Sequence, residues 1–508
     1  MGSRLKQNPK RTFYWFFEAT CLVAADKEPG VLFQFPEDFK DEESDQMLPN
    51  FCFPYDTQKA RFGNAVQQFT FVLTDLEGCQ RFGFCRLTHS SHTCLCILSY
   101  LPWFEVFYKL LNNLADHLSK GQIKELGELL SALYEQPVPQ TAGTISLPMI
   151  PYFIAPDTRS LPSIPENRNL TEMIVAVDVE NLLQLYASML FERRILIFAS
   201  KLSILTSCLH ALNAILYPMY WQHIFIPVLP PHLLDYCCAP MPFLIGVHST
   251  LSEWVRNQAL EEIVILNVDT NTLETPFDDL NRVPPEVMSR LKVCLQQKAV
   301  LPGYGISHAF LKSQALLFGG YRNALQGHKA GEIYFNEKMF VDHKSQSMKQ
   351  FLQCAIHLQF FKQFIDDRLD ILNNGKEPQD LFEEEIIKCK ATVERHKLFV
   401  HNIKKGGEAL ILNIKTKAKL KTQKEDHALH RGGSAPFRRV QSDCLQNRLP
   451  ITPHFGKSRP RRPVHKSKDS RYINGLKKNG AAQDGVVLPT PARRACLCPA
   501  ATASTAGV

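Results

Sequence analysis

From Thr12 to about Tyr100, apolar residues fall in short runs separated by polar turns: FYWFFEATCLVA, QQFTFVLTD, RFGFCRL and TCLCILSY. Runs of this length, rich in aromatic and β-branched residues, predict strands. VLTDLEGCQRFGF reads as a hairpin turning over Asp75 to Cys79 around a glycine, so an antiparallel sheet is expected. The period then lengthens. Phe104, Phe107, Leu110, Leu111, Leu114 and Leu118 recur at helical spacing, and Gly121 follows as a stop. A second helix over Ile123 to Tyr134 completes a small sheet covered by helices. Pro137 to Pro165 holds seven prolines and little periodicity, which predicts a linker.

After it the rhythm alternates between strand and helix: MIVAVD, VENLLQLYASMLFER, RILIFAS, LSILTSCLHALNAILY and, further on, EEIVILNVD. Short continuous apolar strands separated by helices imply parallel crossover units. Inside this region, Leu216 to His248 holds six prolines, six aromatic residues and one carboxylate, Asp235. Such a stretch is too apolar for a solvent loop and too broken by proline for one regular element. It reads as a buried strand from Gln222 to Ile226, a rigid turn at Pro230-Pro231 and a second strand from Phe243 to Val247. From Pro284 to Glu385 the signals are helical: PPEVMSRLKVCLQQ, SHAFLKSQALLFGGYRNAL and MKQFLQCAIHLQFFKQFIDDRLDILNNG. The predicted fold class is therefore α/β in two lobes. An α+β module occupies 1–136, a linker 137–165, a parallel α/β lobe 166–300, a helical part 301–400 and a basic tail 401–508.

Charge sharpens the last boundary. Residues 401–508 carry 22 Lys and Arg against 6 Asp and Glu, while 1–400 carry 36 against 44. An acidic body argues against nucleic acid as its partner, and the cationic, aromatic-poor tail is expected to be disordered. The 15 cysteines include no CxxC pair, and Cys94 and Cys96 are spaced for one strand face, so reduced core thiols and a cytosolic setting are expected. The N-terminal MGSRLKQNPKRTFYWFF lacks the apolar core of a signal peptide, and Lys6 breaks the myristoylation pattern. The most apolar window, Ala211 to Pro230, contains Asn213, Gln222, His223 and internal prolines, a poor match to a bilayer span.

The sequence carries no GxxxxGK[ST], HExxH or GxSxG motif. Gly303-Tyr304-Gly305 is a lone GxG read as a loop. His210, His223, His232 and His248 lack metal-ligand spacing, and Arg193-Arg194 reads as a helix C-terminal complement. No cofactor and no metal are expected. The residues point to a protein that works through its surfaces.

At PWFEVFYKLLN, LPSIPENRNLTE, FERRILIFASKLS, LPPHLLDYCCAPMPFLIGVH, NVDTNTLETPFDDL and FKQFIDDRLDILN the chain closely resembles the DENN domain of the connecdenn proteins. The resemblance covers roughly Thr12 to Glu385, and FYWFFEA is most similar to the third connecdenn paralogue. It implies a longin-like N-terminal module, a central α/β lobe and a helical C-terminal part. It also implies guanine nucleotide exchange on a Rab-family small GTPase in endosomal and clathrin-linked traffic, with the GTPase lying across both lobes. A non-catalytic DENN-fold scaffold or effector is the alternative. A third reading, a nucleotide-binding enzyme, lacks its phosphate loop. The tail shows no DPF or FxDxF peptide of the kind the family uses to bind clathrin adaptors.

Exchange needs no acid, base or nucleophile from this chain, so the candidate residues are contact residues. Tyr217, Tyr220 and Trp221 follow a crossover helix and precede a buried strand, which places them at one end of the sheet, with Gln222 and His223 as polar neighbours. They read as a Rab-binding cluster; the other reading of Trp221 is a core residue. Gln67, Gln68 and Asp75 are the corresponding candidates in the first lobe. Lys404, Lys405, Lys415, Lys417, Lys419 and Lys421 are candidate contacts to anionic phosphoinositide membrane, with a plain lysine-rich linker the alternative. Ser442, in RRVQS, is a candidate phosphorylation site. The expected location is cytoplasmic, peripheral on clathrin-coated vesicles, endosomes or plasma membrane.

Overall fold

The computed structural model describes residues 4–390 apart from 22–28, 41–46, 57–58, 61–64, 89–91, 140–142, 146–152, 156–167, 259, 299–304 and 328–331. The chain divides into two units, 1–417 and 418–508, and all described residues lie in the first. There the N-terminal apolar runs become β1 (Trp15–Thr20), β2 (Gly30–Phe35), a short α1 (Leu48–Phe51), β3 (Gln67–Thr74), β4 (Gln80–Thr88) and β5 (Thr93–Ser99). The strands pair antiparallel in the order β2-β1-β5-β4-β3. The β3–β4 hairpin closes over Asp75 to Cys79, as its sequence predicts. Gly78 takes φ +82°, a backbone conformation costly for a residue with a Cβ. Packed on the sheet are α2 (Phe104–Ser119) and α3 (Ile123–Glu135), which bury Phe107, Leu110, Leu111 and Leu114 and Leu126, Leu129, Leu130 and Leu133. β6 (Gly143–Ile145) and β7 (Phe153–Ala155) form a small antiparallel pair within the proline-rich stretch.

The next region opens differently from its reading. MIVAVD belongs to α4 (Arg168–Ala176) and its C-terminal turn instead of a strand. Leu170, Met173, Ile174 and Val177 are buried at helical spacing while Val175 is 73% exposed, and a continuous apolar run conceals that period. Then follow α5 (Val179–Leu190), β8 (Arg194–Ala199), α6 (Leu202–Ala214), β9 (Ile224–Ile226), a 3₁₀ turn over Pro231–Cys238, β10 (Phe243–His248), α7 (Ser252–Arg256), β11 (Ile263–Asn267) and β12 (Thr272–Glu274). The sheet runs β12-β11-β8-β10-β9, with β9, β10, β8 and β11 parallel and β12 antiparallel at the edge. All six residues of β10 are buried, the mark of a strand covered on both faces.

The helical region holds α8 (Asp279–Arg282), α9 (Pro285–Lys298), α10 (Ile306–Phe318), a hairpin of β13 (Leu325–Gly327) and β14 (Ile333–Phe335), α11 (Glu337–Val341), α12 (Gln346–Ala355), α13 (Gln359–Asn373) and a helix at 381–390. The long apolar pattern from Met348 breaks at Ile356–Leu358. The cause lies far away in sequence: Glu192, at φ +48°, accepts from the N–H groups of Gln359 (3.1 Å) and Phe360 (3.0 Å) and so caps α13. The apolar face of α12 and α13 is packing, with the rings of Phe318 and Phe361 stacked at 5.4 Å.

Candidate functional site

The two sheets share one wall, α6. Its buried residues include Thr206, Ser207 and His210, polar groups that need hydrogen-bond partners. Across the boundary, Gln67 Oε1 accepts from the backbone N–H of Leu202 (2.8 Å), capping α6 from β3, and Thr206 Oγ1 accepts from Thr70 N–H (3.4 Å). His210 Nε2 lies 3.2 Å from the carbonyl oxygen of Thr70, among the rings of Phe104, Phe225 and Phe82. Burial holds its pKa at about 4, so the ring is neutral and Nε2–H donates.

This arrangement reassigns the first-lobe candidates. Gln67, half-buried, caps α6. Gln68 donates to the Tyr108 carbonyl (3.1 Å) and to Asn112 Oδ1 (3.1 Å), tying β3 to α2. Asp75 builds its own turn: Oδ1 accepts from Glu77 N–H (3.0 Å) and Cys79 N–H (2.8 Å), and Oδ2 from the Tyr100 hydroxyl (3.1 Å). These three polar side chains are engaged within the fold.

The aromatic cluster is also enclosed. Trp221 is 3% exposed and donates through Nε1–H to the Ile224 carbonyl (3.0 Å), so the expectation that it is open to a partner fails and its core reading holds. Tyr217 lies beside Leu381, Asp380 and Arg368, and the last two also flank Tyr220; burial pushes both phenols up. The end of the helical region thus covers the end of the sheet that the sequence alone leaves open. Gln222 donates to the Tyr220 carbonyl (3.2 Å), and its own carbonyl accepts from the Arg4 guanidinium. His223 Nε2 stands 3.2 Å from Glu192 Oε1, and its ring meets Trp221 edge-on at 5.2 Å.

What remains exposed is the carboxyl end of the parallel strands, where open α/β sheets bind their ligands. Asp269, just past β11, accepts from Ser200 N–H (2.8 Å), Ser200 Oγ (2.9 Å) and Ser249 Oγ (2.7 Å), joining the ends of β8 and β10. His248 Nε2 donates to the Ser200 carbonyl (2.9 Å), which leaves Nδ1 to accept from Thr250 (2.9 Å from Oγ1). Burial lowers the pKa of this histidine and favours that neutral tautomer. The antiparallel module reaches the same rim: Asp56 N–H donates to Thr250 Oγ1 (3.1 Å), and Lys59 pairs with Glu253 (3.0 Å). Arg256 pairs with Glu274 (2.8 Å), and α7, which carries both Glu253 and Arg256, also presents Trp254 at 38% exposure. The other three tryptophans, Trp15, Trp103 and Trp221, are buried. This rim is a polar surface with one aromatic anchor, suited to a macromolecular contact.

Sequence reasoning missed Trp254, Asp56, Lys59 and Asp269. A usable signal lies in STLSEWVR and NVDT: a lone aromatic in polar company, and an aspartate directly after a buried strand. Lys404, Lys405, Lys415, Lys417, Lys419, Lys421 and Ser442 lie outside the described residues.

Comparison with known proteins supplies a second line of evidence. Residues 29–88 match the uDENN domain, 90–271 the DENN (AEX-3) domain and 335–385 the dDENN domain. The chain is 56% identical over 422 residues to DENN domain-containing protein 1B of Mus musculus, covering 82% of this chain and 55% of that one. It is 49% identical over 516 residues to DENN domain-containing protein 1A of Homo sapiens, covering 94% and 51%. With DENN domain-containing protein 1C of Mus musculus it shares 47% over 528 residues, covering 92% and 67%. The chain spans little more than half the length of the 1B and 1A relatives.

Proposed function

The chain belongs to the DENN-domain family, and on that premise we propose that it is a guanine nucleotide exchange factor promoting GDP release from a Rab-family small GTPase. The observation that supports this reading on the molecule itself is the rim built jointly by the two modules, with Trp254 exposed on the same short helix as Glu253 and Arg256. A GTPase presents apolar and aromatic residues between its switches, and an exposed tryptophan on a polar rim is a complementary partner. Exchange then follows from binding alone. A nucleotide held at picomolar affinity corresponds to about 16 kcal/mol, so the factor must bind the switches in a form that cannot hold phosphate and Mg²⁺. By reciprocity, incoming GTP weakens the factor's own grip and releases it. Endosomal and clathrin-linked traffic, a peripheral membrane location and phosphoinositide contact through the tail lysines belong to the same reading.

The test is release of labelled GDP from a panel of purified Rabs at catalytic amounts of this protein, for wild type and Trp254→Ala. Under the proposal at least one Rab is discharged, and the variant loses at least tenfold in exchange, about 1.4 kcal/mol. Its thermal midpoint should stay within about 2 °C of wild type, because a side chain already exposed contributes little to the core. Binding of a Rab without acceleration of release would make the protein a scaffold instead.

A further inference from the structure

Four cysteines from three separate stretches of chain converge on one face of the antiparallel sheet. Cys85 on β4 stands directly opposite Cys96 on β5, and Cys94 lies two residues along β5, across from Leu87. The two-residue period of a strand puts Cys94 and Cys96 on the same side. Cys52, the residue that closes α1, completes the group. All four are fully buried and none is in a disulfide. The sulfur atoms of Cys52, Cys85 and Cys94 lie within 4.8 Å of one another, and Cys96 stands on the same face of β5 as Cys94.

Core packing does not require such convergence, because an isolated buried thiol behaves as a small apolar group. Cys208 is that case here: burial pushes its pKa up to about 12. Three buried sulfurs within 4.8 Å of one another, with a fourth thiol opposite Cys85 on the neighbouring strand, have the layout of a soft-metal site.

The geometry points to a thiolate site built on Cys52, Cys85 and Cys94, with Cys96 opposite Cys85 as the neighbouring fourth donor, for a thiophilic divalent cation of the Zn²⁺ class. A tetrahedral site with Zn–S near 2.3 Å sets its sulfurs roughly 3.8 Å apart, so the three-sulfur group would need to contract by no more than about 1 Å. An all-sulfur donor set selects Zn²⁺ over the hard cations Mg²⁺ and Ca²⁺. Each thiol that becomes a ligand releases its proton on binding. The ion would staple α1 to β4 and β5. It would thereby hold the segment running on through Tyr55 to Lys59, whose contacts with His248, Thr250 and Glu253 form the rim. This assignment stands independently of the exchange reading.

Metal content decides it. The full chain, expressed in zinc-supplemented medium and purified under reducing conditions without chelator, should carry one equivalent of zinc by mass spectrometry of the metal. Cys52→Ser should retain less than a fifth of that, and Cys208→Ser all of it. Because Cys52→Ser could weaken folding, the wild-type protein is also stripped with a membrane-permeant zinc chelator and titrated with Co²⁺. A thiolate-to-cobalt charge-transfer band that saturates at one equivalent and is displaced by Zn²⁺ supports the site. Less than a tenth of an equivalent of zinc as purified, together with no such band, would show four packed thiols and overturn it.

Discussion

Replacing Trp221 by alanine separates a core role from an interface role. The indole is 3% exposed, sits at the junction of α6 and β9, and satisfies the Ile224 carbonyl. Truncating a buried tryptophan costs about 3–5 kcal/mol through lost transfer free energy and the cavity left behind. If the unit of about 390 residues unfolds as one, its unfolding entropy near the midpoint is roughly 0.8 kcal/mol/K. The expected fall in thermal midpoint is therefore about 4–6 °C, read by differential scanning fluorimetry and checked by calorimetry. Trp221→Phe keeps most of the apolar volume and loses the hydrogen bond, so it should cost only about 1–2 kcal/mol, or roughly 1–2 °C. Exchange by the Phe variant, normalised to folded protein, should equal wild type. An alanine variant whose midpoint stays within 1 °C of wild type while exchange collapses would refute the burial argument and restore Trp221 as a contact residue.

The remaining expectations concern the shared wall. His210 is neutral in the fold with a pKa of about 4, against 6.5 when unfolded, so the unfolded chain binds the extra proton between those values. Its contribution is complete above pH 6.5 and is lost as pH falls toward 4, on the order of 3 kcal/mol in all; His210→Gln should flatten the midpoint-versus-pH curve between pH 6.5 and 5, and an unchanged slope would rule this out. At Gly246 a Cβ would sit 2.2 Å from the Pro227 carbonyl oxygen, a backbone atom that cannot swing away. Gly246→Ala should cost about 1–3 kcal/mol by overpacking, seen as a lower denaturant midpoint with unchanged slope, and wild-type stability would contradict that geometry.

Much of the scaffold was legible because its signals are local. The β3–β4 turn announces itself through Asp75 and Gly78, α2 through its spacing and Gly121, and β8, β10 and β11 through unbroken apolar runs. The readings that failed depend on residues distant in sequence. The break before α13 is imposed by Glu192, 167 positions from Gln359. β2 escaped notice because Gly30, Val31 and Leu32 are exposed and show no alternation. The site suffered most from the same limitation. Clustered aromatics at Tyr217, Tyr220 and Trp221 do mark an interface, but one inside the molecule, closed by Asp380 and Leu381 from the far end of the fold. The sequence has no local mark of which helix will return to cover a surface, whereas Trp254 betrays itself only by being a single large aromatic among polar neighbours.

The position of β5 bears on how this architecture can be divided. It lies in the middle of the antiparallel sheet, bonded to β1 on one side and β4 on the other, yet the uDENN match ends at residue 88 and the DENN match begins at 90. A chain cut at that border would leave β1 and β4 with a missing strand between them, two raw edges primed to pair with other molecules. The family names therefore partition a sequence, not a heritable building block. Chimaeras between relatives should be spliced between α3 and α4, where the junction leaves β1 to β5 within one parent.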